Sequence, residues 1–196
     1  MQRVVILVPG IHTSRKEAQR WLGLLGDFIE TQVPGARCLI YNHGWIAAIQ
    51  IAFPFFGGWF IDRKVKRFQK WVAARMNEID PSIVPDVVAH SFGTRLVDDS
   101  MTHDGGPHTF WDHVIFMGGI VSSRKDFEEE ADHFWRLLNF FSRHDEVVRT
   151  WPYGHCGWKG FIVPHPRVKN WESHFEHTDY QLPSVVWDKI VAFLKD

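Results

Sequence analysis

A chain of 196 residues has the length of one domain, and a domain of that size buries roughly 70% of the surface its unfolded chain exposes, so a core needs no disulfide or metal staple. Hydrophobic residues at 45% and charged residues at 23% exclude a disordered chain. Twenty-two basic against 23 acidic side chains leave a net charge of −1, which gives no electrostatic case for a nucleic-acid partner.

In chain order, short apolar runs alternate with helical stretches. The first run is Val4 to Val8, stopped by Pro9-Gly10. Met1-Gln2-Arg3 ahead of it lacks the pattern of a signal peptide, so the expected compartment is the cytoplasm. Ser14 and Glu17 have capping-box spacing, and Ala18, Trp21, Leu22, Leu25 and Phe28 then recur at helical intervals until Pro34-Gly35. Arg37 to Tyr41 is the second run. Val65, Phe68, Val72, Met76 and Ile79 mark the next helix, stopped by Asp80-Pro81. Asp86 to Ala89, His113 to Met117 and Leu137 to Phe141 are the third, fourth and fifth runs, and Arg167 to Trp171 is a weaker sixth. Val186, Ile190, Phe193 and Leu194 mark a last helix that Pro183 can open. Continuous apolar runs bounded by turn residues indicate strands buried on both faces. Their alternation with helices predicts an α/β fold: a mostly parallel sheet of about six strands with helices on both faces, in a single domain spanning residues 1–196. Ligands of such sheets bind at the carboxyl ends of the strands, so chemistry is expected just after each run.

Four segments after those runs carry candidate chemistry. Ala89-His90-Ser91-Phe92-Gly93 follows the third, with Ser91 at the apex of a strand-to-helix turn. Pro9-Gly10-Ile11-His12 follows the first. Ser142-Arg143-His144-Asp145-Glu146-Val147-Val148 follows the fifth, and His174-Phe175-Glu176-His177-Thr178-Asp179-Tyr180 the sixth. Together they resemble the α/β-hydrolase superfamily, specifically its small lipase- or esterase-like serine hydrolases without a large cap. Ser91 stands where that superfamily has the nucleophile of its elbow, with Gly93 two positions on and Ala89 where the commoner pattern has Gly. The resemblance implies a Ser91, Asp145, His177 triad in the superfamily's chain order. It also implies an oxyanion hole from the backbone N–H groups of Ile11 and Phe92. The acid loop favours Asp145 over Glu146, and the His-x-Asp-Tyr pattern selects His177 over His174 as base. His174 and His177 are also spaced as a metal pair, but no further ligand type clusters beside them, so neither metal nor cofactor is implied.

His12, Trp45 and His174 are further candidates to touch substrate. Trp45 to Ile61 is almost wholly apolar, yet at 17 residues, broken by Gln50, Pro54 and Gly57-Gly58, it is short of the ~20 that a membrane span needs. It reads as core, as cleft wall, or as a partner or membrane-surface patch. Gly118 to Trp135 leaves no room for a cap, and its Glu128-Glu129-Glu130 run reads as a solvated helix face. Trp151 to Pro166 is expected on another side of the cleft. Cys38 and Cys156 are far apart and form no C-x-x-C pair, so they read as reduced, partly buried thiols. The implied function is hydrolysis of a small, apolar acyl ester. The alternative is a catalytically silent member of the fold that binds a partner through its aromatic surface.

Overall fold

The computed structural model describes residues 2–11, 15–42, 54–102, 109–151 and 154–196. Its frame is one sheet of six strands: β1 (Arg3–Val8), β2 (Ala36–Ile40), β3 (Asp86–His90), β4 (Trp111–Met117), β5 (Phe134–Ser142) and β6 (Val168–Ser173). All neighbouring strands pair in parallel, in the order β2-β1-β3-β4-β5-β6. Parallel pairing requires each connection to run back across a face of the sheet. All carboxyl ends therefore share one edge.

Side chains alternate across the strands and feed two cores. Val4, Ile6 and Val8 of β1, with Val87 and Ala89 of β3, pack against α2 (Pro54–Ile79) and α3 (Phe92–Thr102) through Val65, Phe68, Val72 and Leu96. Val5 and Leu7, with Val88, pack the other way, against α1 (Arg15–Gln32) and the carboxy-terminal helix (Val185–Lys195). There they meet Trp21, Leu22, Leu25, Ile29, Val186 and Ile190. Both faces of the central strands are sealed, which is why β3 reads as an unbroken apolar run. At the opposite, amino edge, Asp86 accepts from the backbone N–H and Nδ1 of His113, while Arg3 Nε lies 3.2 Å from its other oxygen.

Three sequence expectations change. The helix expected from Val65 begins at Pro54 and takes in the end of the apolar stretch. Proline is tolerated in the first turn because its missing N–H has no partner to lose. Within this helix Trp59 is 68% exposed, whereas Phe60 and Ile61 lean on the core; residues 45–53 lie outside the described residues. The Glu128-Glu129-Glu130 run is not a solvated helix face. It is a turn ahead of one 3-10 turn, Ala131–His133, and Glu130 is buried. The cause is Lys125, whose Nζ lies 2.9 Å from Glu130 Oε1 and 3.0 Å from Oδ1 of buried Asp98 on α3. A buried carboxylate needs a cation, and the cation draws in a second acid. Finally, the stretch Trp151 to Pro166 meets the candidate site through Trp151. Its short helix Cys156–Lys159 is instead a support under β5, where Asn139 Nδ2 donates to the carbonyl of Cys156. Among the described residues no helix is long and apolar enough to cross a membrane.

Candidate active site

β3 delivers Ser91 to the carboxyl edge, and α3 starts at the next residue. Ser91 has φ 54°, the left-handed region that a side chain enters at a cost of about 1–2 kcal/mol. The turn is fixed on every side. Ser91 N–H donates to Met117 O, and both the N–H and the hydroxyl of Thr94 donate to Ser91 O. Position 93 must be glycine, since a Cβ there would lie 2.6 Å from Val8 O. Position 89 tolerates alanine, because its methyl is buried in the core between β1 and β4. The Pro9-Gly10 loop crosses directly over Ser91: a Cβ at Gly10 would sit 2.9 Å from Ser91 Cβ. A larger residue there would cover the hydroxyl.

Asp145 follows β5 and caps the single helical turn Glu146–Arg149. Its Oδ1 accepts from Val148 N–H at 2.9 Å. Its Oδ2 lies 2.8 Å from His177 Nδ1, and the carboxylate is fully buried. The carboxylate only accepts, so Nδ1 carries the hydrogen and Nε2 is left with its lone pair. Glu146, the neighbouring acid, is paired with Arg149 instead. Gly118, at φ +53°, passes against this pair, and a Cβ there would meet Asp145 Oδ2 at 3.0 Å and His177 Nδ1 at 3.1 Å. The histidine loop is tied down as well. Glu176 N–H donates to Asp179 Oδ2, and Tyr180 is buried with its hydroxyl 3.1 Å from Ser173 Oγ.

Ser91 and His177 line one cavity of about 450 Å³ with Gly10, Ile11, Phe92, Ile120, Val147 and Trp151. The wall is mainly apolar. Sequence reasoning passed over several of its members, above all His90. This residue is buried, and its Nε2 lies 2.9 Å from the carbonyl of His177, so Nε2 donates. Burial, reinforced by the neighbouring His177, pushes its pKa down to about 3, so the ring is neutral. Its ring centroid lies 4.8 Å from that of His177. His90 therefore holds the backbone of the His177 loop beside Ser91, the residue that follows it in sequence. The only signal for this in the sequence was a histidine beside the elbow serine.

No protein-family model and no curated protein matches this sequence. Solved structures do match. The chain is similar to esterase PE8, with 16% identity, a TM-score of 0.65, and 99% of this chain and 92% of that one covered. It is similar to acyl-protein thioesterase 2 of Zea mays at 12% identity and TM-score 0.67, covering 99% and 93% of the two chains. A hydrolase of the alpha/beta superfamily from Xanthomonas campestris pv. campestris aligns at 12% identity and TM-score 0.61, over 99% of both chains. The fold is that of the α/β-hydrolases.

Within this α/β-hydrolase fold the remaining candidates fall as follows. His174 does not line the cavity. It is exposed, its ring 5.7 Å from that of His144, because the chain turns between residues 174 and 177 and presents only the latter to Asp145. His12 and Trp45 lie outside the described residues. Cys156 is fully buried, and burial pushes the thiol of Cys38 up to about 12, with the carboxylates of Glu30, Asp27 and Asp86 adding to the effect. Neither cysteine lines the cavity. Among the described residues one group of His and carboxylate side chains is close enough to share an ion, namely Asp86, Asp112 and His113. The Arg3 guanidinium already occupies the cation's place there, and the group lies at the edge opposite Ser91.

Proposed function

We propose that this protein is a serine hydrolase of small apolar acyl esters. The observation that carries the reading is the Asp145–His177 hydrogen bond on the wall of the cavity that also holds Ser91 in its left-handed turn. In the first step Ser91 Oγ attacks the ester carbonyl carbon and its proton passes to His177 Nε2. Asp145 keeps the imidazole in the tautomer whose Nε2 can accept, then stabilises the imidazolium. As the tetrahedral intermediate collapses, the proton goes to the departing alkoxide and the acyl group stays on Ser91. Water then repeats the sequence, with His177 again as base, and releases the carboxylic acid.

The developing oxyanion is assigned to the backbone N–H groups of Ile11 and Phe92. Phe92 opens α3, where the helix dipole favours negative charge, and Ile11 follows the glycine that crosses Ser91. Each donor of this kind is worth about 3 kcal/mol in the transition state. Ile120, Val147 and Trp151 supply apolar surface for the acyl or alcohol portion, and 450 Å³ suits a small substrate. The chemistry as written calls for no metal and no cofactor.

The test is labelling with a fluorophosphonate followed by peptide mapping, together with hydrolysis of p-nitrophenyl butyrate. The adduct is expected on Ser91, and Ser91→Ala should lose both labelling and turnover, the latter by about 10⁴ to 10⁶ in kcat. Folded protein that neither labels nor turns over would overturn the reading and leave the cavity as a binding site.

A further inference from the structure

One surface is untouched by this chemistry. Although the whole chain carries a charge of −1, six basic residues fall within the 13 positions from Arg63 to Arg75 on α2. Four of them, Arg63, Lys66, Arg67 and Lys70, line one shallow depression with Trp59 and Asp62. Counted from Trp59, the four cations stand at i+4, i+7, i+8 and i+11, the spacing of a single helix face. Among the described residues none of these four has a carboxylate partner. Trp59 is 68% exposed, with the Arg63 guanidinium 5.6 Å from its ring. Lys64 reports the crowding of charge: burial lowers its pKa, and Arg67 and Arg63 lower it further.

The placement of this face follows from the packing. Tyr41 lies just past the carboxyl end of β2, and its ring packs 4.9 Å from Phe68 and 5.1 Å from Trp71. Trp59 is nine residues before Phe68, about 13 Å along the helix, so it projects at the carboxyl edge, where Ser91 and His177 lie. An exposed indole with a row of cations on the same face suits an anionic lipid surface, while the apolar face of α2 stays packed on the core. The ring enters the headgroup region and the cations meet anionic headgroups.

We propose that the face of α2 formed by Trp59, Arg63, Lys66, Arg67 and Lys70 is a docking surface for an anionic lipid membrane. Docking through this face lays α2 along the bilayer surface, with Trp59 and the carboxyl edge of the sheet at one end of the contact. The surface stands independently of the esterase reading, and Ser91→Ala protein should bind lipid like the wild type.

The experiment is cosedimentation of the full chain with vesicles of phosphatidylcholine and phosphatidylserine at 70:30, against pure phosphatidylcholine, in about 0.1 M salt. Binding to the anionic vesicles is expected at least ~10-fold tighter, and about 0.5 M salt should release it. Paired Lys66→Glu and Arg67→Glu reversals should lower the partition coefficient at least ~30-fold. Trp59→Ala should lower it about tenfold. Both sites are exposed, and circular dichroism verifies that each variant is folded. The proposal is overturned by absence of binding to anionic vesicles, or by binding that the reversals leave unchanged. It is equally overturned if inorganic phosphate at constant ionic strength displaces the vesicles, or if the same cations bind a single-stranded oligonucleotide while vesicles are ignored.

Discussion

Replacing Gly118 by alanine tests the coupling between the backbone and the proposed base, His177. The new Cβ would stand 3.0 Å from Asp145 Oδ2 and 3.1 Å from His177 Nδ1, the two atoms of the hydrogen bond between these side chains. The φ of +53° costs a non-glycine residue about 1–2 kcal/mol on its own. In a chain of this length that corresponds to a fall in Tm of about 2–8 °C. The contact requires one partner to move by a few tenths of an ångström. Asp145 is buried and pinned by Val148 N–H, so His177, on its partly exposed loop, is the one that yields. Misplacement on this scale is expected to lower kcat on the order of 10- to 100-fold with KM almost unchanged. Gly23→Ala in α1 is the control. Its Cβ meets nothing within 4 Å, so stability should rise by about 0.5–1 kcal/mol with no change in rate. The assays are thermal unfolding and steady-state hydrolysis of p-nitrophenyl butyrate. A Gly118→Ala enzyme that melts early yet keeps its full kcat would refute the argument that the Asp145–His177 contact governs turnover.

His177→Ala should lower kcat by about 10⁴ or more, whereas His174→Ala should stay within a few-fold, since that ring is exposed beside His144; steady-state kinetics on the two folded variants decides. The buried Lys125 cluster gives a pH-dependent prediction. Burial pushes the Asp98 carboxyl up to about 6, so the fold favours its protonated form and this group's contribution to stability falls as pH rises from about 4 to 6. Lys125→Met removes the cation that limits this penalty. Denaturant titration should find it about 3–5 kcal/mol less stable than wild type at pH 8 and much closer at pH 4.5; equal losses at both would refute the assignment.

The sheet was legible in the sequence because its interior strands are sealed on both faces, leaving β1 and β3 no polar alternation to blur them. β6 was faint for the opposite reason: every residue before the buried Ser173 is half-exposed or exposed, and Lys169, Asn170 and Glu172 break the apolar run. The start of α2 was hidden because Pro54 and Gly57-Gly58 read as breakers, although a first turn accepts proline. Contacts between distant segments were out of reach. Nothing local announces that Glu130 turns inward to Lys125, or that His90 reaches a carbonyl 87 positions away. The candidate elbow, acid loop and histidine loop are proposed from their resemblance to a superfamily pattern, and the choice of Asp145 over Glu146 has the same source. The reason the backbone offers His177 and not His174 to that acid is a turn that no periodicity encodes.

The position of β6 at the end of the strand order has a consequence for how this protein fails. Ser91 and Asp145 hang from β3 and β5, each flanked by strands on both sides, while His177 follows a strand with a single neighbour. Edge elements open locally at a lower free energy than the interior of a sheet. Among the restraints that oppose such opening are Asn170 bonded to Asn139 and Phe161, Ser173 Oγ on the carbonyl of Phe141, Asp145 on His177, and His90 on the carbonyl of His177. Subglobal opening of β6 would carry the imidazole away and leave the elbow intact. Amides of Val168–Ser173 would then exchange with solvent ahead of those of Asp86–His90, and the proposed turnover would be lost reversibly on heating, below the temperature at which the core melts.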